Sequence, residues 1–186
     1  DLNGKRIIVQ GAGHVGQYLI EYLLKEGAKV GVSDIFEDKL REVQKKFSGV
    51  DSVDPNGIYD EAMDIYAPCA LGATVNDDTL PKLKCAIIAG AANNQLANES
   101  KHGQTVLDKG MIYAPDFLIN AGGLINCYSE LEGYNRDRAM SKTEEIYNTT
   151  MNILIRAEEN NIPTYKAANE MAEQRIEAIG NINKVL

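Results

Sequence analysis

Short runs of β-branched and other apolar residues alternate along this chain with longer stretches whose apolar positions recur at helical spacing. The apolar runs predict strands over residues 6–10, 29–34, 64–68, 85–90 and 111–115. A helix that ends at Gly27 is predicted between the first two, with apolar positions at Val15, Leu19 and Leu23. This alternation predicts an α/β fold, a doubly wound parallel sheet with helices on both faces.

Beyond Tyr113 the pattern contains helices only. One helix is predicted over residues 136–160, and a last helix is predicted near 165–179. One face of the longer helix carries Ile146, Thr150, Ile153 and Ala157. We therefore predict a sheet domain over residues 1–135 and a helical C-terminal extension over residues 136–186.

Composition narrows the classes of partner. The chain has 186 residues, of which 44% are hydrophobic, so it can bury a sizeable core. A net charge of -8 argues against nucleic acid or an anionic membrane surface as a partner, because both would be repelled. No apolar run reaches the ~20 residues that span a bilayer. A small polar or zwitterionic ligand fits this composition better.

The three cysteines, Cys69, Cys85 and Cys127, contain no C-x-x-C pair. Neither a disulfide framework nor a metal site is predicted, and we expect reduced, mostly buried thiols in a cytoplasmic protein. The chain begins with DLNGKRIIVQ and has no initiator methionine, so we expect an excised or processed piece.

A glycine cluster follows the first predicted strand, in the segment VQGAGHVGQYL. Gly11, Gly13 and Gly16 form a G-x-G-x-x-G pattern that opens a helix, as in the Rossmann dinucleotide fingerprint. His14 and Val15 lie within it and are assigned to the cofactor-binding segment. His14 is interpreted as a polar residue of the first helical turn and not as a catalyst. A purely structural turn and the similar glycine loop of methyltransferases are the alternatives.

An acidic residue stands where the fingerprint requires one. Asp34 lies 18 residues beyond the last glycine, at the end of the second predicted strand, where its carboxylate can accept bonds from ribose hydroxyls. Ile35 follows it and is assigned to the same site. A 2'-phosphate ~4 Å from a carboxylate costs about 1 kcal/mol in water and about 4 kcal/mol at an effective dielectric of 20. No cation follows at once, since the chain continues with Glu37 and Asp38, so NAD is favoured over NADP.

Further segments occur in order along the chain: DIYAPCALGATVND, IIAGAANNQL, KHG, GMIYAPDFLINAGGLIN, EGYNRDRA and IPTYKAANEMAEQRIE. Together they resemble the cofactor domain of the glutamate/leucine/phenylalanine/valine dehydrogenase family. The resemblance implies NAD-dependent, reversible oxidative deamination of a branched-chain or other apolar L-amino acid to its 2-oxo acid and ammonia. His102, in the KHG segment, is expected in a solvated loop.

The resemblance also implies roles for individual residues. Cys69 and Ala70 would line the adenine and ribose side of NAD. Ala91, Ala92 and Asn93 would run beside its nicotinamide end.

Asn120 would lie beside the nicotinamide ring and reach the amino or carboxylate group of the substrate. Leu124 and Cys127 would face the side chain of the substrate, and their apolar character suits an aliphatic amino acid better than glutamate. The alternative is that they are ordinary core residues of an amphipathic helix.

The family's catalytic base and carboxylate-binding lysine come from a separate N-terminal substrate domain, and no segment here resembles it. We therefore predict no catalytic residue in this chain, no activity of the chain alone, and a homo-oligomer for the full-length enzyme. The alternative is a stand-alone NAD-binding module with a regulatory or sensing role.

Overall fold

The structure is a computed structural model that describes residues 1–182. The chain divides into two compact units, the first spanning Asp1–Asn120 and the second beginning at Ala121. This division lies ahead of the predicted one at residue 135, because the helix that follows Ala121 contacts the next helix of the second unit. No helix within residues 1–182 combines the length and the apolar content that a membrane span requires.

The first unit contains a six-stranded sheet. Its strands are β1 (Arg6–Gln10), β2 (Lys29–Ser33), β3 (Asp51–Ser52), β4 (Ile65–Pro68), β5 (Ile87–Ile88) and β6 (Ile112–Tyr113). All neighbouring pairs are parallel, and the spatial order is β3-β2-β1-β4-β5-β6. This is the order of a Rossmann sheet, and the predicted doubly wound fold is confirmed. The direction of winding reverses between β1 and β4, which opens a crevice at the carboxyl ends of these strands.

Helices of the first unit follow the strands. They are α1 (His14–Lys25), α2 (Glu37–Lys46), α3 (Glu99–Asp108) and the short α4 (Asp116–Ile119), with a 3-10 turn at Ile58–Asp60. α1 connects β1 to β2 and α2 connects β2 to β3, so each makes a crossover between parallel strands.

Alternate residues of β1 belong to separate cores on the two faces of the sheet. Ile7 and Val9 pack with the buried residues of α1 and α2, whereas Ile8 packs in the cluster that contains Val106 of α3. All these side chains are buried, and full burial of one of this size stabilises the fold by about 1.5–3 kcal/mol. Helices on both faces therefore follow from the strand's two-residue period.

The sequence pattern did not reveal β3. Its two residues are polar and exposed, and they are held by backbone pairing of Gly31 with Asp51 and of Val32 with Ser52. The strand predicted over residues 85–90 is shorter than expected, since only Ile87–Ile88 pair on both sides.

The exposure of two residues differs from what the sequence pattern indicates. Val15 is 56% exposed, because the buried face of α1 is formed by Gly16, Ile20 and Leu23. His102 is not in a solvated loop: it is buried in α3, where its Nδ1 accepts a bond of 2.9 Å from the backbone N–H of Asn98.

The second unit is helical, as predicted. Its helices are α5 (Gly122–Leu131), α6 (Arg136–Asn160) and α7 (Thr164–Ile182). The side chain of Asn135 caps α6 by accepting the Arg138 N–H at 2.9 Å, and Asn161 ends the helix in the left-handed conformation. α6 and α7 pack together, and their buried residues are Ala139, Ile153, Ala157, Ala167 and Ala168.

The corrected face of α1 generates a stability prediction. Ile20→Ala removes a fully buried side chain, so the free energy of unfolding should fall by about 2–5 kcal/mol. Val15→Ala, the control on the exposed face of the same helix, should change it by less than about 0.5 kcal/mol. Urea unfolding followed by circular dichroism measures both, and a larger loss for Val15→Ala would show that the assignment of the buried face is mistaken.

Candidate functional site

The predicted cofactor positions of the first unit lie at one edge of its sheet. Gly11 follows β1, Asp34 follows β2 and Cys69 follows β4, while Ala91 to Asn93 come shortly after β5. Because the strands are parallel, all these positions come at the carboxyl edge, around the reversal between β1 and β4. Ligands of doubly wound sheets bind in this crevice.

The turn after β1 depends on two of the three glycines. Gly11 has a φ of +115°, and a β-carbon on it would lie 3.0 Å from the β-carbon of Ala70. A β-carbon on Gly16 would overlap the carbonyl oxygen of Gly11. These two positions therefore need glycine for backbone conformation and for the close approach of α1 to the turn.

Gly13 has a different environment. It is the N-cap residue of α1 at a φ of -72°, and no atom of residues 1–182 lies within 4 Å of a β-carbon built on it. No side chain caps the helix and no acidic residue occupies its first turn. The N–H groups and the positive end of the helix dipole at this terminus suit an anion such as a pyrophosphate.

His14 and Val15, which lie between Gly13 and Gly16, are exposed. The ring of His14 contacts that of Tyr18 edge-on, with the ring centroids 5.0 Å apart, and Val15 begins the exposed face of α1. His14 is the first residue of α1, so it lies in the first helical turn, as interpreted from the sequence.

Asp34 connects the end of β2 to the glycine turn. Its Oδ2 accepts the backbone N–H of Ala12 at 2.8 Å, and its Oδ1 accepts that of Phe36 at 3.0 Å. Each carboxylate oxygen can accept a second hydrogen bond, so both retain capacity for ribose hydroxyls.

A cavity of about 400 Å³ opens beside Asp34. Its walls come from the end of β2, from α2 and from the segment after β3; the lining residues are Asp34, Ile35, Glu37, Leu40, Arg41, Gln44, Ser52, Val53, Asp54 and Pro55. The sequence interpretation missed β3, and with it the part of this lining from Ser52 to Pro55. The cavity is next to the predicted ribose carboxylate, where the adenine of a dinucleotide would lie.

Arg41 changes the electrostatic argument for NAD. Arg41 lines the same cavity as Asp34, and its guanidinium lies 3.7 Å from the carboxylate of Glu37. A cation is therefore present beside the expected position of a 2'-phosphate, although Glu37 offsets part of its charge.

Cys69 lies between the two strands at the reversal. Its N–H donates to the carbonyl of Gln10 at 2.8 Å, and its sulfur accepts the N–H of Ala91 at 3.5 Å. Burial raises the pKa of the Cys69 thiol, so it remains protonated near neutral pH and is a poor nucleophile. Burial also raises the pKa of Cys85 to about 11. Cys127 is exposed, in contrast to the expectation of mostly buried thiols.

Asn93 and Asn120 come together although they are 27 residues apart. The Nδ2 of Asn120 donates to the Oδ1 of Asn93 at 2.6 Å. The two residues thus form one polar group at the carboxyl edge, with donors and acceptors for a carboxamide, an amino group or a carboxylate. Near them in the chain are two buried polar residues that the sequence interpretation missed, Gln95 and Asp116.

Leu124 and Cys127 belong to α5 in the second unit. Leu124 is 73% exposed and Cys127 is also exposed, so the alternative that they are core residues of an amphipathic helix is wrong. Their role towards a substrate stays a prediction.

No cluster of three His, Cys, Asp or Glu side chains suitable for a metal ion occurs within residues 1–182.

The chain was compared with known proteins. Residues 36–183 match the family model described as Glutamate/Leucine/Phenylalanine/Valine dehydrogenase. A leucine dehydrogenase from Bacillus cereus is 49% identical over 181 residues, which cover 97% of this chain and 49% of that protein. A phenylalanine dehydrogenase from Bacillus thermotolerans is 43% identical over 187 residues, covering 98% and 49%.

The crystal structure of L-tryptophan dehydrogenase from Nostoc punctiforme superposes with a TM-score of 0.92 at 45% identity, covering 95% of this chain and 53% of that one. The chain thus spans about half the length of these relatives. The predicted family resemblance, with leucine dehydrogenases among the most similar proteins, is confirmed. The chain belongs to the glutamate/leucine/phenylalanine/valine dehydrogenase family.

Proposed function

We propose that this chain is the cofactor-binding part of an NAD-dependent dehydrogenase that oxidatively deaminates an apolar L-amino acid to its 2-oxo acid and ammonia. One observation carries the proposal. The uncapped N-terminus of α1, the carboxylate of Asp34 and the Asn93–Asn120 pair all lie along the carboxyl edge of one parallel sheet. Taken along the sheet from β2 through β1 to β5 and β6, they would supply groups for a ribose, a pyrophosphate and a nicotinamide, which is the order in a dinucleotide.

The residues present fit such a cofactor. The open space at Gly13 leaves room for the pyrophosphate at the helix N-terminus, and Asp34 would hold the adenosine ribose. The cavity beside Ile35 would receive the adenine, with Cys69 and Ala70 on its ribose side. Ala91 and Ala92 would run along the nicotinamide end, towards Asn93. When bound, NAD supplies the hydride acceptor.

The chain's own contribution to the chemistry is binding and orientation. Asn120 would bind the amino or carboxylate group of the substrate, and its bond to Asn93 fixes the direction of its amide. The raised pKa of Cys69 keeps it a thiol, so it is not suited to proton transfer, and we assign no catalytic role to His14. We assign proton transfer to a lysine of a separate substrate domain, as the family resemblance implies.

The substrate class rests on apolar side chains. Leu124 and Cys127 are exposed on α5 and carry no charge that would pair with a carboxylate side chain. The relatives described above are named for leucine, phenylalanine and tryptophan, all apolar or aromatic. We infer an aliphatic or aromatic L-amino acid, with leucine-like substrates preferred.

Cofactor choice is tested by removing single charges from the cavity. Isothermal titration calorimetry should show tighter binding of NADH than of NADPH to the chain. Asp34→Asn should lower the ratio of the NADH affinity to the NADPH affinity by about fivefold or more, since it removes the repulsion of a 2'-phosphate. Arg41→Ala should raise the ratio, because it removes the cation beside the phosphate.

Asp38→Asn is the matched control, since Asp38 lies on α2 outside the lining of the cavity and should leave the ratio unchanged. An equal effect of Asp34→Asn and Asp38→Asn would contradict a specific role for Asp34.

Substrate choice is tested in the full-length enzyme that contains this chain. Leu124→Ala should shift the ratio of kcat/KM for bulky over small amino acids by roughly 10- to 200-fold. Leu131→Ala makes the same change at an exposed position of the same helix and should leave the ratio unchanged. Steady-state kinetics on a panel of aliphatic and aromatic amino acids measures both, and the same preference in the two variants would remove Leu124 from the substrate site.

A further inference from the structure

Asn93 and Asn120 lie on two segments that are not stable by their own hydrogen bonds. Asn93 belongs to an irregular loop between β5 and α3, and Asn120 is the C-cap residue of α4. α4 has four residues, so its own hydrogen bonds are too few to stabilise it. Other contacts must therefore fix both asparagines.

Asp116 connects these two segments. Its side chain is buried, with the residue 7% exposed, and its Oδ2 accepts the backbone N–H of Gln95 at 2.6 Å. Its Oδ1 accepts the N–H of Phe117 at 2.7 Å, at the start of α4. Asp116 is the first residue of α4, so its bond to the Gln95 N–H connects the asparagine loop to α4, and its bond to the adjacent Phe117 N–H orients the carboxyl group.

Gln95 closes the asparagine loop on itself. It is fully buried, and its Nε2 donates to the carbonyl oxygens of Gly90 at 2.6 Å and Ala92 at 3.0 Å. These two carbonyls lie before Asn93 in the chain and Gln95 lies after it, so the side chain fixes the curvature of the backbone that carries Asn93. Both hydrogens of the amide are used.

The remaining polar atom of the Gln95 amide, its oxygen, bears on why glutamine occupies this position. Oε1 of Gln95 is buried and has no hydrogen-bond partner within residues 1–182. An unpaired buried polar atom costs about 1–3 kcal/mol, which an apolar side chain of the same size would avoid. The position of Gln95 is therefore better explained by the geometry it imposes than by a gain in stability.

The charge of Asp116 affects its surroundings. The pKa of Tyr113 is raised, first by burial and then by the nearby carboxylate of Asp116. The same two causes, in the same order, raise the pKa of Glu99. The carboxyl group of Asp116 thus lies in a poorly solvated place, where backbone N–H groups replace water as its donors.

We propose that Gln95 and Asp116 are positioning residues that hold Asn93 and Asn120 in the geometry needed at the nicotinamide end of the cofactor. This inference rests on the proposed function, because it assumes that the asparagine pair meets the nicotinamide. Neither residue touches the cofactor. Their effect should be confined to the nicotinamide half of the dinucleotide, since the ADP-ribose half is held by the glycine turn and Asp34.

The test compares NADH with ADP-ribose, which lacks the nicotinamide ring. Asp116→Asn keeps the shape of the side chain but presents an amide to one of the two N–H donors. Its affinity for NADH should fall by roughly tenfold or more, while its affinity for ADP-ribose stays within about twofold of the unsubstituted chain. Gln95→Met, which removes both bonds to the loop carbonyls, should behave in the same way and serves if Asp116→Asn does not fold. Isothermal titration calorimetry measures both affinities, and the fluorescence of bound NADH reports separately on the surroundings of the nicotinamide.

Asp64→Asn is the matched control. The carboxylate of Asp64 also accepts a backbone N–H, that of Arg6 at 2.7 Å, but it precedes β4 at the opposite edge of the sheet. It should leave the affinity for both ligands and the fluorescence unchanged.

The outcomes separate the inference from the function on which it rests. Equal losses for NADH and ADP-ribose in the variants, or no loss for either, would overturn the positioning role. If the unsubstituted chain bound neither ligand, the proposed cofactor site itself would be wrong.

Discussion

The carbonyl oxygen of Gly11 lies so close to the α-carbon of Gly16 that no side chain fits between them, and the candidate cofactor site depends on this approach. It brings the N-terminus of α1 directly against the turn after β1, with no side chain capping the helix. This terminus carries the positive end of the helix dipole and follows β1, next to the reversal of the sheet between β1 and β4. Asp34 holds the same turn from the second strand, through the N–H of Ala12. A packing constraint between two glycines thereby brings the N-terminus of α1 close to the carboxylate of Asp34, the two groups that we propose for the pyrophosphate and the ribose.

The proposed nicotinamide side depends on a different kind of interaction. There the polar pair Asn93 and Asn120 lies on short, irregular segments. Buried hydrogen bonds hold these segments: the Gln95 N–H donates to Asp116, and the Gln95 amide donates to the carbonyl of Gly90. The two halves of the site therefore respond differently to substitution, because one is fixed by backbone sterics and the other by a few polar contacts.

The sequence predicted the parts of the structure that have local signals. Five strands were predicted from apolar runs, α6 from its periodicity, and the glycine turn from its spacing, because each depends on residues close together in the chain. β3 has two polar, exposed residues and exists only by pairing with β2, so its apolar signal is absent, and the cavity that it completes was missed with it. The bond from the Gln95 N–H to Asp116 spans 21 residues and has no spacing rule, so the support of the asparagine pair could be found only in three dimensions. His102 was misassigned because its polar neighbours indicated a loop, although the residue itself faces the interior from α3.

The most direct measurement is the affinity of the chain for NADH after Gly13→Ala. Gly13 has an ordinary φ, and in the part of the chain that the structure describes no atom lies within 4 Å of an added β-carbon, so the melting temperature should change little. The added methyl group would stand where the pyrophosphate approaches the helix N-terminus, so the affinity should fall by roughly tenfold or more. Gly180→Ala, at an equally open glycine of α7, should leave the affinity unchanged. A folded Gly13→Ala variant that binds NADH as tightly as the unsubstituted chain would contradict the assignment of this terminus to the cofactor.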